Sequence, residues 1–477
     1  MTGPVIILEF NELTPSLMDR FIAQGELPGF ERLRSESIEC ITDADESPPA
    51  LEPWIQWVSV HTGLSYEKHQ IFELDSAHKL DVPRIWDLVA DEDGRAWVCG
   101  SMNAAVRSRK PQNLHVLPDP WSSNVHPLPE GVYDPYVHLV RTYVQEYTRS
   151  SVPLGAADYL RFMAFMAQNG LSAKTVLEAV GQLASERTGA FRWRRATILD
   201  RLQWDLFKHV YRKTEPTLAT FFLNSTAHYQ HYYWRNMDPS QFAARDTKER
   251  EAEYANAILF GYKKMDEIVQ DCLSLAGPQA TIILCSALGQ QPLVKYDATG
   301  GKQIFKIKEI EPFLQFASIE AACTYTPVMA EEFNLTFHSE QDAEDAEKKL
   351  KALRAPDGSS LMMVRRENSK LFCGCAVITS QPDDATVTAG NRNSLFRDIF
   401  YPVEGVKSGM HHPDGILWIR RPDKTYRKVD RKVSLCEIAP TVLSLCGLDT
   451  QHPFDYPPMP EVIGMRPATE PAMSVSA

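Results

Sequence analysis

Five short apolar runs rich in β-branched residues, at residues 5–10, 96–100, 217–223, 281–286 and 415–420, constrain this chain more than any other feature. Runs of this length and composition read as buried parallel strands, covered on both faces. Helical patterns fall between several of them. Residues 14–24 open with Pro15 at a helix start and stop near Gly25, residues 83–91 are similar, and residues 434–446 end before Gly447. Strand–helix alternation on this scale predicts an α/β fold, a doubly wound, mostly parallel sheet with helices on both faces. In such a sheet the ligand crevice lies at the carboxyl ends of the strands.

Two blocks interrupt the alternation. Residues 130–215 are rich in Tyr, Phe, Arg and Ala, with helical spacing at 158–168, 172–187 and 196–211, and predict a helical insertion that covers the crevice. Residues 290–400 read β, α, β, β at 333–337, 340–353, 361–365 and 371–378, which predicts a small α+β subdomain. The expected organisation is therefore an α/β core at 1–129, 216–289 and 401–464, the two insertions, and a mobile tail at 465–477 with no periodicity.

Charge and cysteine usage exclude several function classes. Asp plus Glu outnumber Lys plus Arg by 62 to 50, a net charge of −12, and an acidic surface repels a phosphate backbone, so no nucleic-acid partner is expected. No apolar run reaches membrane-spanning length. The opening residues 1–4 lack a basic segment and the apolar run at 5–8 is too short for a secretion signal, so a cytoplasmic protein is expected. The 9 cysteines form no Cys-x-x-Cys pair, which supports neither a disulfide framework nor a structural zinc site.

Six segments, in order, carry a family resemblance. Glu9-Phe10-Asn11-Glu12-Leu13 follows the first strand like an Asp-Gly-Leu-type turn. Leu27-Pro28-Gly29-Phe30-Glu31-Arg32-Leu33 is similar to LPNFxRL. Trp57 to Leu64, then Lys68-His69-Gln70-Ile71, is similar to a W-x-S-x-x-TG … KHGI pattern. Gln230-His231-Tyr232-Tyr233-Trp234 resembles QHFFW, Gly409-Met410-His411 through Gly415 resembles G-x-H-x-x-x-G, and Ile438-Ala439-Pro440-Thr441-Val442-Leu443 resembles IAPTxL. Together they resemble the type I phosphodiesterase and nucleotide pyrophosphatase branch of the alkaline phosphatase superfamily.

The resemblance implies chemistry with two divalent metals, held by carboxylates and imidazoles, that activate a Thr or Ser nucleophile. Carried over residue by residue, most of that apparatus is replaced. The first-strand Asp falls at Asn11, the Asp before the Gln-His pair falls at Ala227, and the Asp and His of an SDHG element fall at Ala287 and Leu288. The nucleophile loop, Pro49-Ala50-Leu51-Glu52-Pro53-Trp54, contains no Ser or Thr. Only His231 and His411 remain at ligand positions, which implies at most one divalent metal per chain, or none.

Glu52 enters the crevice where the nucleophile loop does, and reads either as a general base, nucleophile or metal ligand, or as a loop carboxylate at a helix start. His231 and His411 are the candidate catalytic and metal-binding pair, with core histidines as the alternative. Glu9, Asn11, Ser286, Gln290 and His412 are the candidate substrate-binding residues. His228, three residues before His231, is a further candidate ligand, whereas His61 and His69 read as hydrogen-bonded core. The basic run Arg192–Arg195 reads as a solvated face or an anion grip. The expected function is a divergent hydrolase of this superfamily acting on a phosphate or sulfate ester or related small anion, without the usual two-metal site. The alternatives are a pseudoenzyme that binds an anionic ligand or a partner protein, and a metal-independent lyase or transferase. Oligomeric state is left open.

Overall fold

The computed structural model describes residues 3–122, 124–146, 154–186, 191–328, 331–449 and 452–464; the expected mobile tail at 465–477 lies outside them. The strands, in chain order, are β1 Val5–Phe10, β2 Ile38–Asp43, β3 Ala96–Cys99, β4 Leu114–Leu117, β5 Leu218–Leu223, β6 Thr281–Ser286, β7 Gly289–Pro292, β8 Lys302–Ile307, β9 Cys323–Pro327, β10 Phe333–Phe337, β11 Met362–Glu367, β12 Lys370–Cys375, β13 Thr386–Ala389, β14 Arg392–Leu395, β15 Phe400–Lys407, β16 Gly409–His412, β17 Asp414–Arg420 and β18 Arg427–Ser434. Eight of them form the central sheet, in the order β18-β2-β17-β6-β1-β5-β3-β4. Strand β1 runs parallel to both β5 and β6, and β3 is parallel to β4 and β5.

All six residues of β1 are buried, because its alternating side chains feed two cores. Ile6, Leu8 and Phe10 pack on the face covered by the helices Pro15–Ala23, Ala196–Thr214 and Ala257–Leu275. Val5 and Ile7 pack on the face covered by Pro53–Thr62, Ile85–Asp91 and Ile438–Leu445. A sheet buried on both faces is the doubly wound, mostly parallel α/β architecture that the apolar runs predict.

One expectation is overturned. The run at 415–420 is the strand β17, but it lies antiparallel to both β6 and β2. A buried apolar run has no polarity of its own, so composition does not reveal which way the strand points.

The helices Asp134–Glu146, Ala156–Gln168, Ala173–Ser185 and Ala196–Thr214 fall in the Tyr-rich block. In the second block, β11, β12, β10 and β9 form a four-stranded antiparallel sheet with the helix Glu340–Ala352, around a separate core that includes Leu335, Leu350 and Leu371. No helix among the described residues is long and apolar enough to cross a membrane.

His69 shows how this fold couples to pH. It is buried, its Nδ1 accepts from the Ile71 N–H at 3.0 Å, and its Nε2 lies 3.1 Å from Ser59 Oγ. Burial, with the charge of Arg84, lowers its pKa from 6.5 to about 4. The folded protein then binds fewer protons than the unfolded chain as pH falls from 6.5 to about 4, so stability drops across that window, by about 3 kcal/mol at most from this residue. His69→Asn keeps an acceptor for Ile71 and should remove that share of the acid limb in denaturant titrations. A variant with the same acid limb as the parent contradicts this.

Candidate metal centre

The site forms where the chain leaves the carboxyl ends of three strands. After β1 the backbone turns through Asn11 and Glu12, with the Asn11 N–H donating to Leu223 O at 2.9 Å. After β5 it enters the helix Ser225–Met237, whose second turn carries His231. After β6 it passes Ala287 and Leu288 into β7, which pairs with β16 so that His411 stands opposite Gln290. This two-stranded ribbon sits close to the helix, since a Cβ added at Gly409 would lie 2.3 Å from Gln230 O. Only glycine allows that approach.

Glu12 is the residue that joins these segments. Its φ of 59° lies in the left-handed region that non-glycine residues rarely adopt, at the place where the resemblance expects the Gly of the Asp-Gly-Leu turn. Gln230 Nε2 donates to Glu12 O at 2.6 Å, and the Leu13 N–H donates to Ser286 Oγ at 2.8 Å, which together hold the turn. The buried carboxylate accepts from Asn11 Nδ2 at 2.9 Å on Oε1 and from Gln290 Nε2 on Oε2. His231 Nε2 lies 3.1 Å from Oε2 and His411 Nε2 lies 3.6 Å from it.

The tautomers follow from the backbone. His231 Nδ1 is 3.2 Å from Gly409 O, and His411 Nδ1 is 2.9 Å from Leu51 O. A carbonyl only accepts, so each Nδ1 carries a proton and each ring turns its Nε2 toward Glu12. Burial pushes His411 down to about 4, with His231 and Lys407 adding to the fall against the pull of Glu12, so it is neutral at pH 7. Burial also opposes the charge on Glu12, but the imidazoles of His231 and His411 and the hydrogen bonds from His231 and Gln290 outweigh it and hold the carboxyl at about 2. A proton on His231 Nε2 would satisfy one contact and still leave the His411 lone pair facing the same carboxylate oxygen.

Three potential ligand atoms, all within 4.8 Å of one another, thus converge, and the neutral His411 ring brings no proton at Nε2 to the carboxylate it faces. One carboxylate oxygen and two imidazole nitrogens match the donor set of mononuclear zinc and related divalent sites with an open position. Glu12, His231 and His411 therefore fit a single divalent metal.

The other candidates separate into groups. Asn11 and Gln290 surround Glu12, and Asn11 is itself fixed by Trp57 Nε1, which donates to Asn11 Oδ1 at 2.9 Å. Glu52 stands at the N-cap position of the helix Pro53–Thr62 and places Oε2 3.5 Å from His411 Nδ1, on the far side of that ring from Glu12. It is therefore not part of the three-atom cluster. About a third of its side chain (32%) is exposed, yet burial pushes its pKa up to about 8, with Lys407 opposing and Glu12 and Glu332 adding. His412 points away from His411; its Nδ1 accepts from the Asp414 N–H at 3.1 Å.

Glu9 and Ser286 belong to the interior. Glu9 is fully buried, 2.9 Å from His61 Nε2, and accepts from Ser101 Oγ at 2.6 Å. Ser286 Oγ also donates to Leu288 O at 2.8 Å. Odd-numbered residues of β1 face the helix Pro53–Thr62, so Glu9 lies outside the three-atom cluster. Ala227, Ala287 and Leu288 are buried and apolar and offer no ligand atom.

Sequence reasoning did not single out Glu12 as a candidate ligand. The available signal was a charged residue in place of the turn glycine, since a side chain forced into the left-handed region is most often found where function needs it.

The profile described as "Type I phosphodiesterase / nucleotide pyrophosphatase" matches residues 5–371, well over half of the chain. No curated protein sequence matches the chain. Among solved structures, phosphonoacetate hydrolase from Sinorhizobium meliloti 1021 in complex with phosphonoformate is similar with 11% identity and a TM-score of 0.44, covering 93% of this chain and 96% of that one. Human ectonucleotide pyrophosphatase/phosphodiesterase 5 is similar with 8% identity and a TM-score of 0.42, covering 94% and 96%. Its murine counterpart, as an inactive variant in complex with AMP, has 9% identity and a TM-score of 0.39 over the same shares. The chain belongs to the type I phosphodiesterase/nucleotide pyrophosphatase family.

Proposed function

We propose that this protein is a hydrolase of a phosphate or sulfate ester, or a related small anion, working at a mononuclear site instead of the family's two-metal site. The observation that carries the reading is the convergence of Glu12 Oε2, His231 Nε2 and His411 Nε2, with both Nδ1 atoms anchored on backbone carbonyls. A divalent ion held there supplies a Lewis acid for an ester oxygen. The chain's own groups do the rest. Gln230 and Gln290 fix the Glu12 turn and carboxylate, and the carbonyls of Gly409 and Leu51 fix the two rings. Glu52, partly open beside His411, holds a proton at the mouth of the site and moves it to or from the reacting group.

A second reading has its own observation. Ala227, Ala287 and Leu288, which the resemblance aligns with ligands of the family's metals, are buried and carry no ligand atom, and a protein with half a site can bind an anion without turnover. Both readings require the single-metal anion site. Titration of metal-free protein with zinc or manganese, followed by calorimetry with inorganic phosphate, should show phosphate binding only after metal is added. p-Nitrophenyl phosphate and bis-p-nitrophenyl phosphate should be hydrolysed near background, because the nucleophile hydroxyl and the ligands of a second metal are replaced. Phosphate binding that ignores metal, or robust turnover of either ester, contradicts the proposal.

A further inference from the structure

A cavity of about 360 Å³ lies beside the metal centre, enclosed by the helices Asp134–Glu146 and Ala196–Thr214, the Pro120–Trp121 loop and the carboxyl end of β5. It abuts the centre through one side chain: Asn224, which lines the cavity, accepts from Asn11 Nδ2 at 2.8 Å, and the same Nδ2 donates to Glu12 at 2.9 Å. Its size lies at the lower end of the range for small-molecule sites. Nothing in the metal chemistry uses it.

The lining states what it accepts. Trp121, Tyr136, Trp193 and Tyr233 supply flat apolar walls, which hold rings by stacking. Between them stand short polar groups. Ser225 Oγ donates to Asp200, and burial, against the Ser225 hydrogen bond and the charge of Arg201, raises Asp200 to about 7. The ring of His228 touches those of Tyr229 and Tyr232 and makes no hydrogen bond among the described residues. Burial holds it down at about 4, hence neutral at pH 7.

This set disfavours charge. An anion deep in the cavity would meet Asp200 and a ring that resists protonation. An ammonium group would meet Arg192 and Arg195 in the same lining. Carboxyl, hydroxyl, amide and neutral imidazole between aromatic faces suit an uncharged ring bearing several hydroxyl groups, since each buried polar group then gains a partner.

We infer that this cavity holds the hydroxylated ring of the substrate, a glycosyl or other cyclic polyol group whose phosphoryl or sulfuryl substituent reaches Glu12, His231 and His411. The inference rests on the proposed anion site for its second half only. An aromatic base also stacks on the walls but directs its polar groups only in its own plane, whereas a polyol presents hydroxyl groups all around its ring to polar groups that come from several segments, so a polyol is preferred over a base.

The test uses the full chain loaded with zinc. Calorimetry compares glucose 1-phosphate, galactose 1-phosphate and mannose 1-phosphate with AMP and inorganic phosphate. The best sugar phosphate should bind at least about tenfold tighter than phosphate and AMP, a gain of about 1.4 kcal/mol. Leu199→Trp, which fills the cavity, should erase that advantage and leave phosphate affinity unchanged. Ser225→Ala, which retains volume, should reduce it several-fold, so the test survives if the larger variant does not fold. The matching methyl glycosides, which carry no anion, should bind His231→Ala as well as the parent. If phosphate binding fails while a methyl glycoside still binds, the anion site is wrong and the cavity assignment stands. Sugar phosphates no tighter than phosphate, an advantage that persists in both variants, or an equal gain for AMP overturns it.

Discussion

Glu12→Gln is expected to abolish divalent-metal binding while leaving the fold intact. The variant keeps the shape of the side chain, but Gln290 Nε2 and both imidazoles meet the same oxygen, Oε2, so an amide there pairs either with Gln290 or with the rings, at a cost of about 1–3 kcal/mol that leaves the protein folded. It removes the only anionic group of the three-atom cluster. The loss of metal affinity should exceed the ~10- to 100-fold that loss of a mere supporting partner costs, and phosphate binding should disappear with it. Thermal unfolding gives an independent readout. Saturating zinc at 100 times its Kd stabilises the parent by about 2.7 kcal/mol and should leave the variant's midpoint unmoved. The acid limb should change too. A carboxyl near 2 in the folded state and 4.5 in the unfolded chain contributes stability above pH 4.5 that is lost as pH falls toward 2. The variant should lack that part of the metal-free profile. A variant that still binds zinc as tightly as the parent contradicts the assignment of Glu12.

Glu52→Gln should have the second largest effect, of a different kind. Glu52 lies against His411 Nδ1 and not within the three-atom cluster, so metal content should stay at the parent value. Any turnover found for a physiological ester should fall by about 10²-fold or more, the usual worth of a positioned proton-transfer group. Unchanged turnover would assign the residue to the rim of the site. A fall in metal content in step with turnover would show that Glu52 acts by supporting the His411 ring.

Much of the fold was legible because buried parallel strands leave a dense signal. The runs at 5–10 and 281–286 coincide with β1 and β6 to the residue, and the alternating run at 333–337 coincides with the antiparallel β10. Strands β2 and β18 left no such signal. Both carry charge, as in Glu39, Asp43, Arg427, Lys428 and Lys432, because β18 is the sheet edge and β2 lies next to it. Edge strands are kept polar to prevent pairing with other chains. The site was half legible. Motif position brought His231 and His411 together, and their ring centroids are 5.2 Å apart. The carboxylate was sought at Glu52 because the nucleophile loop reaches the crevice there, whereas a turn in the left-handed region swings Glu12 between the two rings. The polyol cavity had no sequence signature. Tyr136, Asp200 and Ser225 come from separate segments, and only the packing of the inserted helices against β5 brings them to one space.

Metal content of protein purified without chelators tests the single-metal centre most directly. Elemental analysis should give one equivalent of a divalent transition metal per chain in the parent and none in Glu12→Gln. Two equivalents in the parent, or one equivalent that survives in Glu12→Gln, would contradict a mononuclear site built on Glu12, His231 and His411.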